Sequence, residues 1–259
     1  MDWAAAVLAA LVSAAVALRY LSWKSHSFVE TILAHRAHSD KAAASRPDVL
    51  LVIAHPDDES MFFVPILLRL RPHVHWHLLC LSSGNYDGLG AIRTKELAAC
   101  WHELGMDAAT LTVLEDARFQ DGMKSIWTPA DVATATLAFV AKHKIDTMVT
   151  FDDYGVSGHP NHISVHNGVK HALATSPLPL HAYALDSVRL WHKYLGPLDA
   201  IWTSPSRTAV VAVAPWVNYA AMAKHTSQFV WFRRLFVVFS RYTFLNTFTP
   251  LHAPTKKTL

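Results

Sequence analysis

The sequence predicts an α/β domain: a mostly parallel sheet with helices on both faces, preceded by an apolar helix that anchors the chain in a membrane. Three observations predict it. Short aliphatic runs alternate with longer stretches of helical period from Asp48 onward, polar chemistry collects just after two of those runs, and residues 3–18, WAAAVLAALVSAAVAL, carry no charge. Alternation of this kind is Rossmann-like, and in such sheets ligands bind in loops at the carboxyl ends of the strands.

The 259 residues suffice for one well-filled core. A net charge of only +3, with no dense Lys/Arg tract, argues against nucleic acid as a partner. Cys80 and Cys100 stand in apolar stretches with no CxxC spacing, so they read as reduced core residues. Seventeen histidines are too many for all to be ligands; His73, His75 and His77 simply alternate along an expected strand.

Taken in order, the apolar run is followed by Arg19, Tyr20, Leu21 and Trp23, which gives a helix about long enough to cross a bilayer, with aromatic anchoring at one end. Ala15-Val16-Ala17 resembles a signal cleavage site, and an Ala-rich core helix is a further reading. Asp2 rather than a basic residue precedes the run, however, which favours an uncleaved anchor over residues 1–23. Arg19, Lys24, Arg36, Lys41 and Arg46 all follow it, so the positive-inside rule keeps the rest of the chain in the cytosol. Residues 24–47 read as a juxtamembrane linker ending in Arg46-Pro47.

The catalytic domain is expected over 48–225, with strands at 48–54, 74–81, 109–114, 145–151, 180–189 and 207–213. Helices are expected at 59–70, 90–104, 130–143 and 161–174. Residues 226–259 form an amphipathic tail. A helix over 230–248 would gather Arg233, Arg234 and Arg241 within an arc of about 100°, as suits a membrane interface; packing against the domain is the alternative.

Two loops hold the chemistry. The first strand ends in AHPDDE, which offers His55, Asp57 and Asp58; the fourth ends in FDDYGVSGHPNHISVH, which offers Asp152, Asp153, His159, His162 and His166. A histidine and an aspartate three apart around a turn can chelate one ion. A second histidine from the other loop then leaves a place for water, the pattern of a catalytic zinc, and an adjacent carboxylate can take the water's proton. Either aspartate alone would equally serve as a helix cap, and two histidines one turn apart are common on surfaces. These residues by themselves leave both readings open.

AHPDDE (54–59) followed by GHPNH (158–162) resembles the PIG-L/LmbE-like family of metal-dependent de-N-acetylases. GLGAIRTKELAACWHELG (88–105) is similar to the family's Arg-x-x-Glu helix. HTSQFVWFRRLFVVFSRYTFLNTF (225–248) resembles its membrane-bound eukaryotic branch. The resemblance implies one divalent ion, zinc, held by His55, Asp58 and His162. It further implies Asp57 as general base, His159 as oxyanion stabiliser or proton donor, and Arg93 beside the substrate. The implied reaction removes acetate from N-acetylglucosaminyl-phosphatidylinositol, a membrane-embedded glycolipid, in the second step of GPI-anchor synthesis at the endoplasmic reticulum. A soluble GlcNAc conjugate is the alternative substrate, and a catalytically silent membrane adaptor the rival from another class. Ion pairing with Glu96 is the plainer reading of Arg93. Ser157 stands where some relatives carry a tyrosine, so Tyr154 is not expected at the oxyanion. Asp152, Asp153 and His166 are left as ligand-orienting or solvated residues.

Overall fold

A computed structural model describes residues 3–35, 46–204 and 208–253. Helix α1 (Trp3–His35) leads into β1 (Asp48–Ile53), two short helices α2 (Asp58–Phe62) and α3 (Val64–Leu70), then β2 (His75–Cys80), α4 (Gly90–Glu103) and β3 (Leu111–Val113). There follow α5 (Pro129–His143), β4 (Thr147–Phe151), a single turn α6 (Gly155–Gly158), α7 (Pro160–Thr175), β5 (His181–Leu185) and α8 (Leu190–Lys193). The chain closes with β6 (Thr208–Val211), α9 (Pro215–Ala223), α10 (Trp231–Phe239) and β7 (Leu245–Leu251).

The strands form one seven-stranded sheet in the order β3-β2-β1-β4-β5-β7-β6. β3 to β5 run parallel, and β7 lies antiparallel to both its neighbours. In β1, DVLLVI, every residue after Asp48 is buried, as a central parallel strand covered on both faces requires. The chain leaves β1 towards β2 on one side and β4 towards β5 on the other. Right-handed crossovers therefore put α2, α3 and α4 on one face and α7 on the opposite one. The reversal leaves a crevice outside the carboxyl ends of β1 and β4.

Three expectations are corrected. The helix at 59–70 breaks at Phe63, where Pro65 enters the first turn of a new helix and cannot donate to the preceding one. The linker expected over 24–47 is helical as far as His35, and residues 36–45 of it lie outside the described residues. Its apolar positions explain this: Phe28 packs edge-on against Tyr183 and stacks on Phe248, while the Ser25 hydroxyl donates to the Ala209 carbonyl at 2.9 Å and accepts from the Val211 N–H. Finally, the tail is not one helix over 230–248. α10 stops at Phe239, and Ser240 caps a turn in which Arg241 is buried against Asp199 at 3.0 Å. β7 then enters the sheet between β5 and β6. Asn246 on it accepts from the Ile66 N–H and donates to the Phe62 carbonyl, so the domain continues past residue 225.

Candidate metal centre

The crevice holds a pocket of about 400 Å³. It is lined from the β1 loop by His55, Asp57 and Asp58, from α4 by Arg93, and from the β4 side by His159 and His162. Asp121 and Arg233 complete it. The six residues to which the family resemblance gives a role meet there, whereas Asp152, Asp153 and His166 do not line it.

β1 delivers His55 into a tight turn. Asp57 sits at the N-terminus of α2, but its side chain makes no capping bond, which removes the plain reading of that residue. Its φ of 117° is a conformation that residues with a Cβ rarely adopt. Three bonds hold it there: the Asp57 N–H donates to Glu59 Oε2 at 3.1 Å, and the Asp57 carbonyl accepts from the Met61 N–H and the Ser60 hydroxyl, each at 2.9 Å. Glu59 is fixed in turn by His225 Nε2 at 2.6 Å, and both are fully buried. Asp58 folds back to accept from the Ala54 and His55 N–H groups through Oδ2, leaving Oδ1 3.1 Å from His162 Nε2.

His159 starts α7 as its N-cap, its Nδ1 accepting from the Asn161 N–H. One turn on, His162 is 3.0 Å through Nδ1 from the Gly155 carbonyl. Gly155 is obligatory here, since it has φ 62° and a Cβ on it would lie 2.6 Å from that of His162. His55 Nε2 lies 3.0 Å from Asp121 Oδ1 and 2.9 Å from Asn161 Oδ1. Arg93 donates to the Pro56 and Gly84 carbonyls and sits 3.6 Å from Asp57 Oδ1 and 3.5 Å from Asp121. It does not pair with Glu96, which instead accepts from Thr226 and Ser227. Asp152 holds its own loop by accepting from Tyr154, Gly155 and Ser187, Tyr154 is exposed, and His166 bonds the Phe151 carbonyl.

Charge separates the two adjacent aspartates. Burial raises both, but at Asp58 the His162 ring and its hydrogen bond win and hold the carboxyl far below its ordinary range. At Asp57 burial prevails over Arg233 and Arg93, so its carboxyl is raised. Burial would lower His55, yet Asp121 and Asp58 hold it above its ordinary value. Burial, with His55 and His162 beside it, brings His159 down to about 4.

A divalent ion fits these donors. One ring nitrogen from each of His55, His159 and His162 lies within 4.8 Å of the others, and Asp58 Oδ1 is 3.1 Å from His162 Nε2. Ligands on a tetrahedral ion with bonds of about 2.0–2.1 Å stand about 3.3 Å apart. With His162 Nδ1–H spent on the Gly155 carbonyl, Nε2 offers a lone pair. With His55 Nε2–H on Asp121, Nδ1 does the same, which is the usual carboxylate–histidine support of a metal ligand.

Residues 50–173 match the model of the family described as PIG-L: GlcNAc-PI de-N-acetylase. The chain is 35% identical to the probable N-acetylglucosaminyl-phosphatidylinositol de-N-acetylase of Schizosaccharomyces pombe, over 81% of this chain and 89% of that one. It is 39% identical to the N-acetylglucosaminyl-phosphatidylinositol de-N-acetylase of Bos taurus, over 76% and 81% respectively. The chain belongs to the PIG-L family. Its fold is shared with N,N'-diacetylchitobiose deacetylase from Pyrococcus horikoshii, at a TM-score of 0.60 and 15% identity over 90% of this chain and 97% of that one. The PIG-L sequence signature covers the metal-side loops, yet several residues around Asp57 were missed by reading it. Asn161 lay inside a quoted motif. Glu59 closes AHPDDE and His225 opens the 225–248 stretch, Asp121 stands outside every motif, and Arg233 belongs to the arc expected at the membrane interface.

Proposed function

We propose that this PIG-L protein hydrolyses the N-acetyl group of N-acetylglucosaminyl-phosphatidylinositol, releasing acetate and glucosaminyl-phosphatidylinositol in GPI-anchor synthesis. The observation that carries the reading is the buried Asp57 carboxyl, which makes no capping bond, held beside the buried Asp58–His162–His55 donor set in one pocket. We assign His55, Asp58 and His162 to a zinc ion. Such an ion supplies Lewis acidity, polarising the acetyl carbonyl and making water a nucleophile near neutral pH.

The protein's own groups do the rest. Asp57 takes the proton of the attacking water, and its raised carboxyl suits a base that works near neutrality. His159 accepts at Nδ1 from Asn161, so the neutral ring carries its proton on Nε2. That tautomer donates a hydrogen bond to the carbonyl oxygen as it gains charge, which favours oxyanion stabilisation over proton donation. The amine then recovers its proton from Asp57. Arg93 orients the sugar at the pocket wall and fixes the Pro56 carbonyl ahead of the base. The apolar α1 anchors the protein in the endoplasmic reticulum membrane, with Arg19 and Lys24 on the cytosolic side along with the domain.

Acetate release from N-acetylglucosaminyl-phosphatidylinositol in vesicles, abolished by chelation and restored by zinc, is the test. Metal-loaded protein that leaves this lipid intact but deacetylates a soluble GlcNAc conjugate would overturn the substrate assignment.

A further inference from the structure

From the free end of α1, the structure leads along one surface to the pocket. α1 runs against the sheet from His35, stacked on His181 at the start of β5, past Phe28 on Tyr183, to Leu18 and Leu21, which pack with Ala200, Ala209, Val211, Phe244 and Leu245. It therefore leaves the domain at the carboxyl edge of the sheet, the same edge at which the pocket opens.

Ala14 is buried against the domain, whereas Trp3–Ser13 stand clear of it. Exposed Tyr20 and Trp23, with Arg19, mark the headgroup level on the outer side of α1. Ala14 lies six residues, or about 9 Å, below Tyr20. A spanning α1 thus brings the domain surface beside it below the headgroups.

That surface is built for such depth. Beside the Gly196–Ile201 turn that receives Leu18, Trp202 is 56% exposed, with Trp191 edge-on to it at 6.2 Å. Tyr194 meets Phe236 of α10, whose outer side exposes Trp231 (73%), Phe232, Leu235, Val238 and Phe239. α9 adds Trp216 at 69%. Between Arg189 and Phe239 the one acidic residue, Asp199, is buried on Arg241 and His192, while Arg189, Lys224 and Arg234 are exposed. Aromatic rings with basic side chains and no exposed acid complement an anionic lipid interface.

We propose that residues 190–239 form a second membrane contact, which dips the carboxyl edge of the sheet into the cytosolic leaflet and holds the pocket mouth at headgroup depth. It rests on the anchor and substrate readings above. On the inner side of the same nine-residue α10, Arg233 Nη1 stands 2.8 Å from Asp57 Oδ2. The helix that meets lipid outside thus contacts the base inside, and a glycolipid reaches the site without leaving the bilayer.

The full chain reconstituted in phosphatidylcholine vesicles with a minority of phosphatidylserine tests this. Both native cysteines are buried, so a nitrobenzoxadiazole thiol label goes to an introduced cysteine. Trp202→Cys and Trp231→Cys are expected to give blue-shifted emission quenched by nitroxide-bearing lipid. Leu178→Cys, exposed ahead of β5 at the opposite edge, is expected to give neither. Aqueous emission at 202 and 231 overturns the proposal, as does a blue shift that lipid nitroxide leaves unquenched, which would mean a protein partner or a second copy. Hydrolysis of lipid-free GlcNAc-inositol by Trp231→Ser/Phe232→Ser should match the unaltered protein while turnover of the bilayer substrate falls. If the unaltered protein hydrolyses neither, the catalytic reading fails whatever the labels report.

Discussion

The pocket has two walls made in opposite ways. On the motif wall, contacts are local: Asp58 bonds the Ala54 and His55 N–H groups, His159 caps its own helix, and Asp152 ties its own loop. On the opposite wall, residues 225–233 reach far along the chain. His225 binds Glu59, Thr226 and Ser227 bind Glu96, and Gln228 accepts from Arg233, which approaches Asp57 at an angle that makes an ion pair without a hydrogen bond. The difference teaches a division of labour. The motif wall assembles the proposed metal donors, whereas the far wall sets the proposed base, because Asp57 is held at its N–H by Glu59, itself bound to His225, and faced at its carboxylate by Arg233.

The largest effects should separate these jobs. Asp57→Asn is expected to lower kcat by about 10²–10⁴-fold while zinc content by elemental analysis stays at the unaltered level. Asp58→Ala should lose both. If Asp57→Asn also came out metal-free, the two walls would not be separable and the comparison would fail.

Next in size is the buried pair behind the base. Removing one partner of such a pair costs about 3–5 kcal/mol, so His225→Ala should be destabilised by that order in urea unfolding. The pH dependence sharpens it. Burial opposes both charges, but each partner outweighs it, so Glu59 is held below its ordinary value of 4.5 and His225 above 6.5. The Glu59 contribution is present above pH 4.5 and lost as pH falls through its depressed folded value. The His225 contribution is present below pH 6.5 and lost as pH rises through its raised one. The stability gap between the unaltered protein and His225→Gln should therefore be widest between pH 4.5 and 6.5, narrowing on both sides. A gap that kept growing above pH 6.5 would contradict the charged pair.

Legibility in the sequence follows the same division. The parallel strands and the motif wall were readable because their signals are short-range: aliphatic runs of strand length, a histidine and an aspartate three apart, HxxH entering a helix. The far wall was not, since nothing near Arg233 reveals that Asp57 faces it, and nothing near Arg241 reveals Asp199. Helical period across 230–248 gathered arginines that tertiary pairing then separated: only Arg234 of the three is exposed. β7 escaped for a related reason. Asn246 and Thr247 look like surface residues until α3 and the end of α2 are there to bond Asn246. Residues 24–35 of α1 read as a linker because Lys24, His26, Glu30 and His35 are interleaved with Phe28, Val29 and Ile32, and only the sheet face they pack on reveals the stripe.

Arg233→Gln comes next, at about 1 kcal/mol and a few-fold in kcat, because its side chain is partly solvated and Arg93 still faces Asp57. The smallest effect tests whether the far wall has a purely structural outer part. Ser227 Oγ donates to Glu96 Oε2 at 2.6 Å, but Glu96 keeps the Thr226 hydroxyl and the Ser227 N–H when that hydroxyl is removed. Ser227→Ala should therefore cost about 1 kcal/mol in unfolding and leave kcat unchanged. If kcat fell with it, the loop would be transmitting position to Asp57 through Arg93, which sits on α4 one turn before Glu96. Both walls would then act on the base as one unit.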